Sequence, residues 1–404
     1  MKVSILCADL SSNCLGRSYI LARVLEREFK VEIVGPLFGE GIWTPLASES
    51  IALRPLKVAR HLGGIGAIRQ LAALADGDLL YANKTLATSF GAALIARHYR
   101  PRPLLLDIDD WDAAFVRDAY AKLRGRARLR YLLSSIARPH MSHAYLNAPL
   151  LERWVDCADG ITVSNRFLQQ RFGGALIRHG RDTDAFRPGR FDRNERRQAH
   201  GLDPNRPVVL FLGTMHPYKG VDDLIDALRD VGDDRPQLLL VGVGEDPQAR
   251  QTLARARREL GGDVVSFGPQ PFERLPEFMA LADIAAIPQR DAASTRGQMP
   301  AKLFDAMALG VPVLSTAVSD IPQVLDGAGW VVPPNDPTAL GAAIRSILRD
   351  PQEVERRTRV ARRRCVERYS WDAMEETLTP LVYALLDASD RASGRSTESV
   401  PAAR

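Results

Sequence analysis

Long apolar runs are missing from this chain. After Lys2 the run Val3–Ala8 is stopped by Asp9, too short for the apolar centre of a secretory signal. No uninterrupted apolar segment approaches the ~20 residues that a membrane span needs. Cysteine is scarce: Cys7, Cys14, Cys157 and Cys365 are scattered, and no pair has the spacing of a zinc or thiol-redox motif. His140-Met141-Ser142-His143 reads as a surface loop, not as a metal site. A reduced, cytoplasmic protein is the expectation. An excess of one charge is lacking too: 54 Lys and Arg against 49 Asp and Glu leave only +5, which does not point to nucleic acid. No internal repeat is evident.

What is present is an α/β pattern in duplicate. A chain of 404 residues, 46% hydrophobic and 25% charged, suits two soluble domains. Val3–Ala8 reads as a buried strand, followed by a polar loop Asp9–Asn13 and Gly16-Arg17. A helix through Ile20, Leu21, Val24 and Leu25 and a strand Val31–Val34 complete a βαβ unit. Further strands are expected at Leu79–Ala82, Leu104–Ile108 and Gly160–Val163. Strand alternation puts Asp107 and Asp109 on one face, with Asp110 at the C-terminal lip, where open α/β sheets bind ligands. In the second half, Gly213 and Gly220 frame Lys219 after the strand Pro207–Leu210. Gly297–Val313 reads as a glycine-containing loop, a short helix with Leu303, Phe304, Met307 and Ala308 on its apolar stripe, and a strand. Gly310 stands where a left-handed C-cap belongs. The helix start suits a phosphate, and Asp305, a turn further on, suits sugar hydroxyls because a carboxylate only accepts hydrogen bonds. Asn335-Asp336-Pro337 supplies a cap and a proline for another helix.

Five short blocks follow one another in a telling order: Phe211–Val221, Gln237–Glu245, Val264–Pro269, Ala282–Pro288 and Gly297–Val313. That order resembles the C-terminal half of the GT-B glycosyltransferases, specifically the retaining family 4 with its glycosyl transferases group 1 domain. The resemblance implies an α/β GT-B fold, two Rossmann-like domains facing across a cleft. Residues 1–183 would bind the acceptor and 184–370 the nucleotide sugar. Residues 371–388 would form a helix returning to the N-terminal domain, with 389–404 a disordered tail rich in Ser, Arg, Gly and Pro. At the junction His179 stands where the family usually has Asn, while Gly180, Asp182 or Asp184 and Phe186-Arg187-Pro188 keep its shape. Glu367–Trp371 resembles the segment that opens the family's last helix.

The resemblance further implies transfer from a nucleotide diphosphate sugar with no cofactor and no metal. Lys219 and Asp305 are its catalytic candidates, and Asp109 joins them from its place at the C-terminal end of a strand, where the family usually has a histidine. Gly16, Gly213, Thr214, Gly242, Pro269, Ala301 and Lys302 are its candidates around the nucleotide sugar. Two departures stand out. Thr214 replaces the arginine of the family's loop motif, and Gly297 falls where the first acid of its acid pair belongs. Lys302 is expected to restore the lost charge, and Asp305, the second acid, to hold the ribose. Gly16 resembles the glycine whose backbone nears the diphosphate. Arg17 either adds charge or caps a surface turn. Asp107-Ile108-Asp109-Asp110 also evokes the metal site of the unrelated GT-A enzymes, but every neighbouring motif points to GT-B. The expected partners are a nucleotide sugar donor and a glycan, lipid-linked or small-molecule acceptor. Residues 117–138 read as one basic amphipathic helix, either packed on its own domain or touching anionic lipid at the inner face of a membrane. A GT-B epimerase and a catalytically weak scaffold are the alternatives.

Overall fold

The computed structural model describes residues 1–58, 64–138, 140–232 and 235–392. Two all-parallel sheets organise the chain. The first has seven strands, β1 (Lys2–Leu6), β2 (Lys30–Leu37), β3 (Leu53–Lys57), β4 (Leu79–Asn83), β5 (Leu104–Ile108), β6 (Gly160–Val163) and β7 (Ala175–Leu176), in the order β3-β2-β1-β4-β5-β6-β7. The second has six, β8 (Val208–Leu212), β9 (Gln237–Val241), β10 (Val264–Phe267), β11 (Ile284–Ile287), β12 (Val313–Thr316) and β13 (Trp330–Val332), in the order β10-β9-β8-β11-β12-β13. In each, the order reverses beside the first strand, as in doubly wound nucleotide-binding folds. The fold is GT-B.

Helices cover both faces, so the central strands read as unbroken apolar runs. Every residue of β4, β5, β8 and β9 is buried. Along β8, Val208, Leu210 and Leu212 pack with Leu303, Phe304 and Met307 of the helix Ala301–Leu309. Val209 and Phe211 turn to the other face, against Leu224, Ile225 and Leu228 of Val221–Arg229. Val3 and Ile5 of β1 meet Met374, Leu378 and Val382 of the last helix, Trp371–Ala392, which thus closes the first domain's core. That helix runs on through residues expected in the tail. The rest of the tail, 393–404, lies outside the described residues. No helix among the described residues is long and apolar enough to cross a membrane.

The two crossings between the domains touch each other. Arg181 N donates to Tyr369 O at 2.9 Å and Trp371 N to Arg181 O at 2.9 Å, a lone parallel bridge joining Arg181 and Ser370. A Cβ on Gly180 would lie 2.4 Å from Met374 Sδ and 2.9 Å from Ser370 O, so this crossing needs glycine. Arg362 ties the linker to the second domain, donating to Thr183 O, Phe186 O and Ala308 O.

Three expectations need correction. Residues 117–138 do not form one helix: Asp112–Lys122 and Gly125–Ala137 are separated by Leu123-Arg124. Gly16 sits in the first turn of Cys14–Leu25, not in a loop. Arg17 caps no surface turn. It is buried, donating Nε to Asp107 Oδ2 at 3.0 Å and Nη2 to Asp107 Oδ1 at 2.8 Å. Asn83 and Thr162 fill the remaining lone pairs of Asp107, at 2.8 and 2.7 Å. A buried guanidinium left with only the carbonyls of Ile177 and Arg178 is costly, so Asp107→Ala should lower the unfolding free energy by about 3–5 kcal/mol, and Asp107→Ala with Arg17→Met should recover part of it. Urea melts check this, and a loss within experimental error for Asp107→Ala contradicts it.

Candidate functional site

The C-terminal wall of the cleft is built from loops after β8, β9, β10 and β11. Gly213 (φ 148°) ends β8, its N–H bound to Val241 O at 2.8 Å. Gly242 (φ 94°) follows β9, and a Cβ there would lie 2.9 Å from Gly213 O. Two glycines thus let neighbouring loops pack backbone to backbone. Pro269 follows β10 in the loop whose Gly268 O accepts from Gly242 N at 3.2 Å. After Thr214, a single turn, Pro217–Lys219, ends at Gly220, where φ is 72° and a Cβ would stand 1.8 Å from Pro288 O. No side chain fits at Gly220, and this pins Lys219 against the strand ends. Its Nζ donates to Gln298 Oε1 at 2.9 Å.

Next to Lys219 lies the start of Ala301–Leu309. Its N-cap is Pro300, which makes no side-chain cap, so the N–H groups of the first turn, Ala301 and Lys302 among them, face outward with the positive end of the helix dipole. Burial pulls the Lys219 pKa down to about 8, with Asp110 opposing and Lys302 adding to the fall. Lys302 is lowered as well, by burial first, with Asp305 opposing and Arg181 reinforcing it. His179 is held well below the usual histidine range by burial and by the charges of Arg17, Arg181, Lys84 and Lys302, and stays neutral.

Asp305 corrects the ribose expectation. It has no exposed surface, and its Oδ1 takes Arg181 Nε, with Lys302 Nζ 3.5 Å from Oδ2. A carboxylate so enclosed is a strut between linker and helix. Gly297 is equally telling. A Cβ there would lie 2.5 Å from Trp111 Cβ, so the position of the missing acid is closed by a tryptophan from the opposite domain. Trp111 is itself fixed, its Nε1 donating to Glu152 at 2.8 Å with Arg171 4.4 Å over its ring.

The N-terminal wall centres on Lys84, which sits just past β4 with φ 73° and lies 2.9 Å from Asp109 Oδ1, 2.8 Å from Asp110 Oδ2 and 3.6 Å from Asp112 Oδ1. Burial works against its charge, but the three carboxylates outweigh it and hold the pKa well above the usual lysine range. Burial pushes Asp109 up to about 6 and Asp112 to about 7, with Lys84 opposing both. For Asp110 burial is overcome by Lys84 and by Gln298, and its pKa falls below the usual value. β5 stops at Ile108, so Asp107 and Asp109 do not share a strand face. Asp109, expected in the cleft, is buried beside Lys84. Asp110 faces the second domain, accepting from Gln298 Nε2 at 3.1 Å. Arg17 takes Asp107, and a single Lys84 lies among Asp109, Asp110 and Asp112.

Lys84, Asp110, Gln298 and Lys219 therefore form one polar chain across the cleft. Further out, Arg178 Nη2 and Arg166 N both donate to Asp320 of the second domain, at 2.6 and 2.8 Å, and Ser294 N donates to Asp118 at 3.1 Å. Sequence reasoning missed Lys84, Gln298 and Arg181. A positive φ at a lysine leaves no mark in sequence, whereas Gln298 beside the anomalous Gly297 was a signal available to be read.

Residues 206–350 match the family model described as glycosyl transferases group 1. The GDP-mannose-dependent alpha-(1-6)-phosphatidylinositol monomannoside mannosyltransferase of Mycolicibacterium smegmatis is 33% identical over 250 residues, 57% of this chain and 64% of that one. The D-inositol 3-phosphate glycosyltransferase of Geodermatophilus obscurus is 31% identical over 238 residues, 56% of this chain and 50% of that one. The matches thus span between half and two thirds of these relatives' length. Among solved structures, Anabaena HepE in complex with UDP-glucose superposes with a TM-score of 0.74 at 19% identity, covering 95% of this chain and 100% of that one. Sucrose-phosphate synthase from Thermosynechococcus elongatus gives 0.71 at 19% identity, over 96% and 99%. The chain has the GT-B fold, and its residues 206–350 are similar to the glycosyl transferases group 1 family.

A lysine whose proton leaves at about pH 8 gives the cleft a pH signature. An anion favours the charged form, so affinity for a nucleoside diphosphate should be greatest below pH 8 and fall as pH rises through it. Calorimetric titration of UDP and GDP between pH 7 and 9.5 checks this. Affinity that stays flat across that range, or that falls equally in Lys219→Gln, contradicts the role of Lys219.

Proposed function

We propose that this chain is a retaining, metal-independent glycosyltransferase that moves a sugar from a nucleoside diphosphate to a hydroxyl of a glycan, glycolipid or small polar acceptor. The observation that carries this reading is the Gln298 amide, spanning Lys219 and Asp110 beside the uncapped start of Ala301–Leu309. Breaking the anomeric C–O bond leaves negative charge on the departing diphosphate and positive character on the sugar. Helix N–H groups with Lys219 and Lys302 meet the first, in positions fixed before the reaction. Gly213 and Gly242 leave room for the nucleotide to approach the backbone. Asp110, presented by Lys84 and Gln298, takes the donor-sugar hydroxyls that an acid at Gly297 would otherwise hold. Asp109 acts through Lys84 as a positioning residue. The relatives named as GDP-mannose-dependent and the neighbour holding UDP-glucose support a nucleotide sugar as donor. The phosphatidylinositol mannoside in a relative's name supports a glycolipid among the acceptors.

A panel of UDP- and GDP-sugars, assayed for transfer and hydrolysis, tests this. At least one should turn over, and turnover should persist in EDTA, because protein cations and N–H groups meet the diphosphate charge. Lys219→Ala should cost on the order of 10²–10³-fold in turnover. Asp110→Asn should raise KM for the nucleotide sugar about fivefold or more while leaving nucleoside diphosphate affinity nearly unchanged, the split expected for a sugar contact of about 1–3 kcal/mol. No turnover across the panel points to a scaffold. Activity lost in EDTA and restored by Mn²⁺ overturns the metal-independent reading.

A further inference from the structure

The helix Gly125–Ala137 of the N-terminal domain carries an exposed apolar ridge with exposed cations beside it. In the helix Gly125–Ala137, Tyr131 and Ser135 face inward: Tyr131 Oη donates to His143 O at 2.6 Å, and Ser135 Oγ accepts from Tyr145 N at 3.0 Å. A helix turns 100° per residue, so Leu129, Leu133 and Ile136 lie on the opposite side. They are 59%, 58% and 70% exposed. The segment packed beside this helix leads into a second ridge at four-residue spacing, Leu146, Leu150 and Trp154, also about half exposed. Scattered apolar residues on a surface need no explanation, but two ridges on adjacent segments do.

Charge says what covers them. Lys122, Arg124, Arg126 and Arg130 are exposed, and no acidic residue occurs between 119 and 138. Arg128 lies over Tyr120, 4.5 Å from its ring centroid, which leaves the others to face outward. Leucine and isoleucine flanked by arginine match the boundary between acyl chains and anionic headgroups. We propose that this face docks on an anionic lipid bilayer, so that the cleft works at a membrane surface. The inference rests on the glycosyltransferase reading only for its purpose. Lipid binding itself is read without any sugar donor.

Flotation of the full chain with vesicles tests it. The chain should float with phosphatidylcholine vesicles containing 30% phosphatidylglycerol, should not float with phosphatidylcholine alone, and should be released as salt rises through the screening range. Each exposed arginine near the surface contributes about fivefold in affinity. Arg126→Glu with Arg130→Glu should therefore weaken partitioning at least 25-fold, while nucleoside diphosphate affinity stays unchanged. Leu133→Ser with Ile136→Ser should weaken it tenfold or more by a separate route. Binding to neutral vesicles equal to that on anionic ones overturns the proposal, as does wild-type flotation of the arginine variant. So does a stable dimer that Leu133→Ser and Ile136→Ser dissociate, which assigns the face to a second copy.

Discussion

One side-chain amide ties the two walls of the cleft together where the charged groups meet. Gln298 offers an acceptor and a donor at once: its oxygen takes Lys219 and its nitrogen serves Asp110 from the other domain. A carboxylate at this position could accept from the lysine but would repel the aspartate. Around this amide the fold leaves little freedom. Trp111 blocks any side chain at Gly297, and Pro288 O blocks any at Gly220. The missing acid at Gly297 is thus built into the packing of the cleft, and the carboxylate that faces the site comes from the opposite wall.

The two walls differ in electrical character. On the C-terminal side, Lys219 and Lys302 lie close together and partly out of water, so both hold their protons weakly and His179 holds none. Such a site is short of an anion, and a diphosphate relieves the strain. On the N-terminal side a single Lys84 serves three aspartates, a wall rich in acceptors and suited to hydroxyls. A leaving group that gathers charge on one side and a sugar bearing hydroxyls on the other fit this division.

Much of the fold was legible because parallel strands buried on both faces are written as apolar runs. β5 and β6 occupy the residues expected of them, and Gly310 adopts the left-handed cap (φ 67°) at the end of its helix. What misled was charge. Arg17 and Asp107 read as surface or cleft residues, yet they are locked together inside the first domain. Asp305 read as a ribose ligand, yet the Arg181 that encloses it lies in the linker, far off in sequence. Charged side chains carry no periodic signal of burial, because whether they are buried depends on a partner supplied by the tertiary fold. The break in the basic segment at Leu123-Arg124 was hidden for a related reason: helical spacing continues across a two-residue interruption.

The account stands or falls on where the diphosphate sits. A crystal structure with UDP or GDP bound should place its terminal phosphate at the N-terminus of Ala301–Leu309, within hydrogen-bonding reach of Lys219 Nζ, about 3 Å, with the Gln298–Asp110 contact facing the position of the sugar. A diphosphate found away from Lys219, on the N-terminal wall beside Lys84, contradicts it.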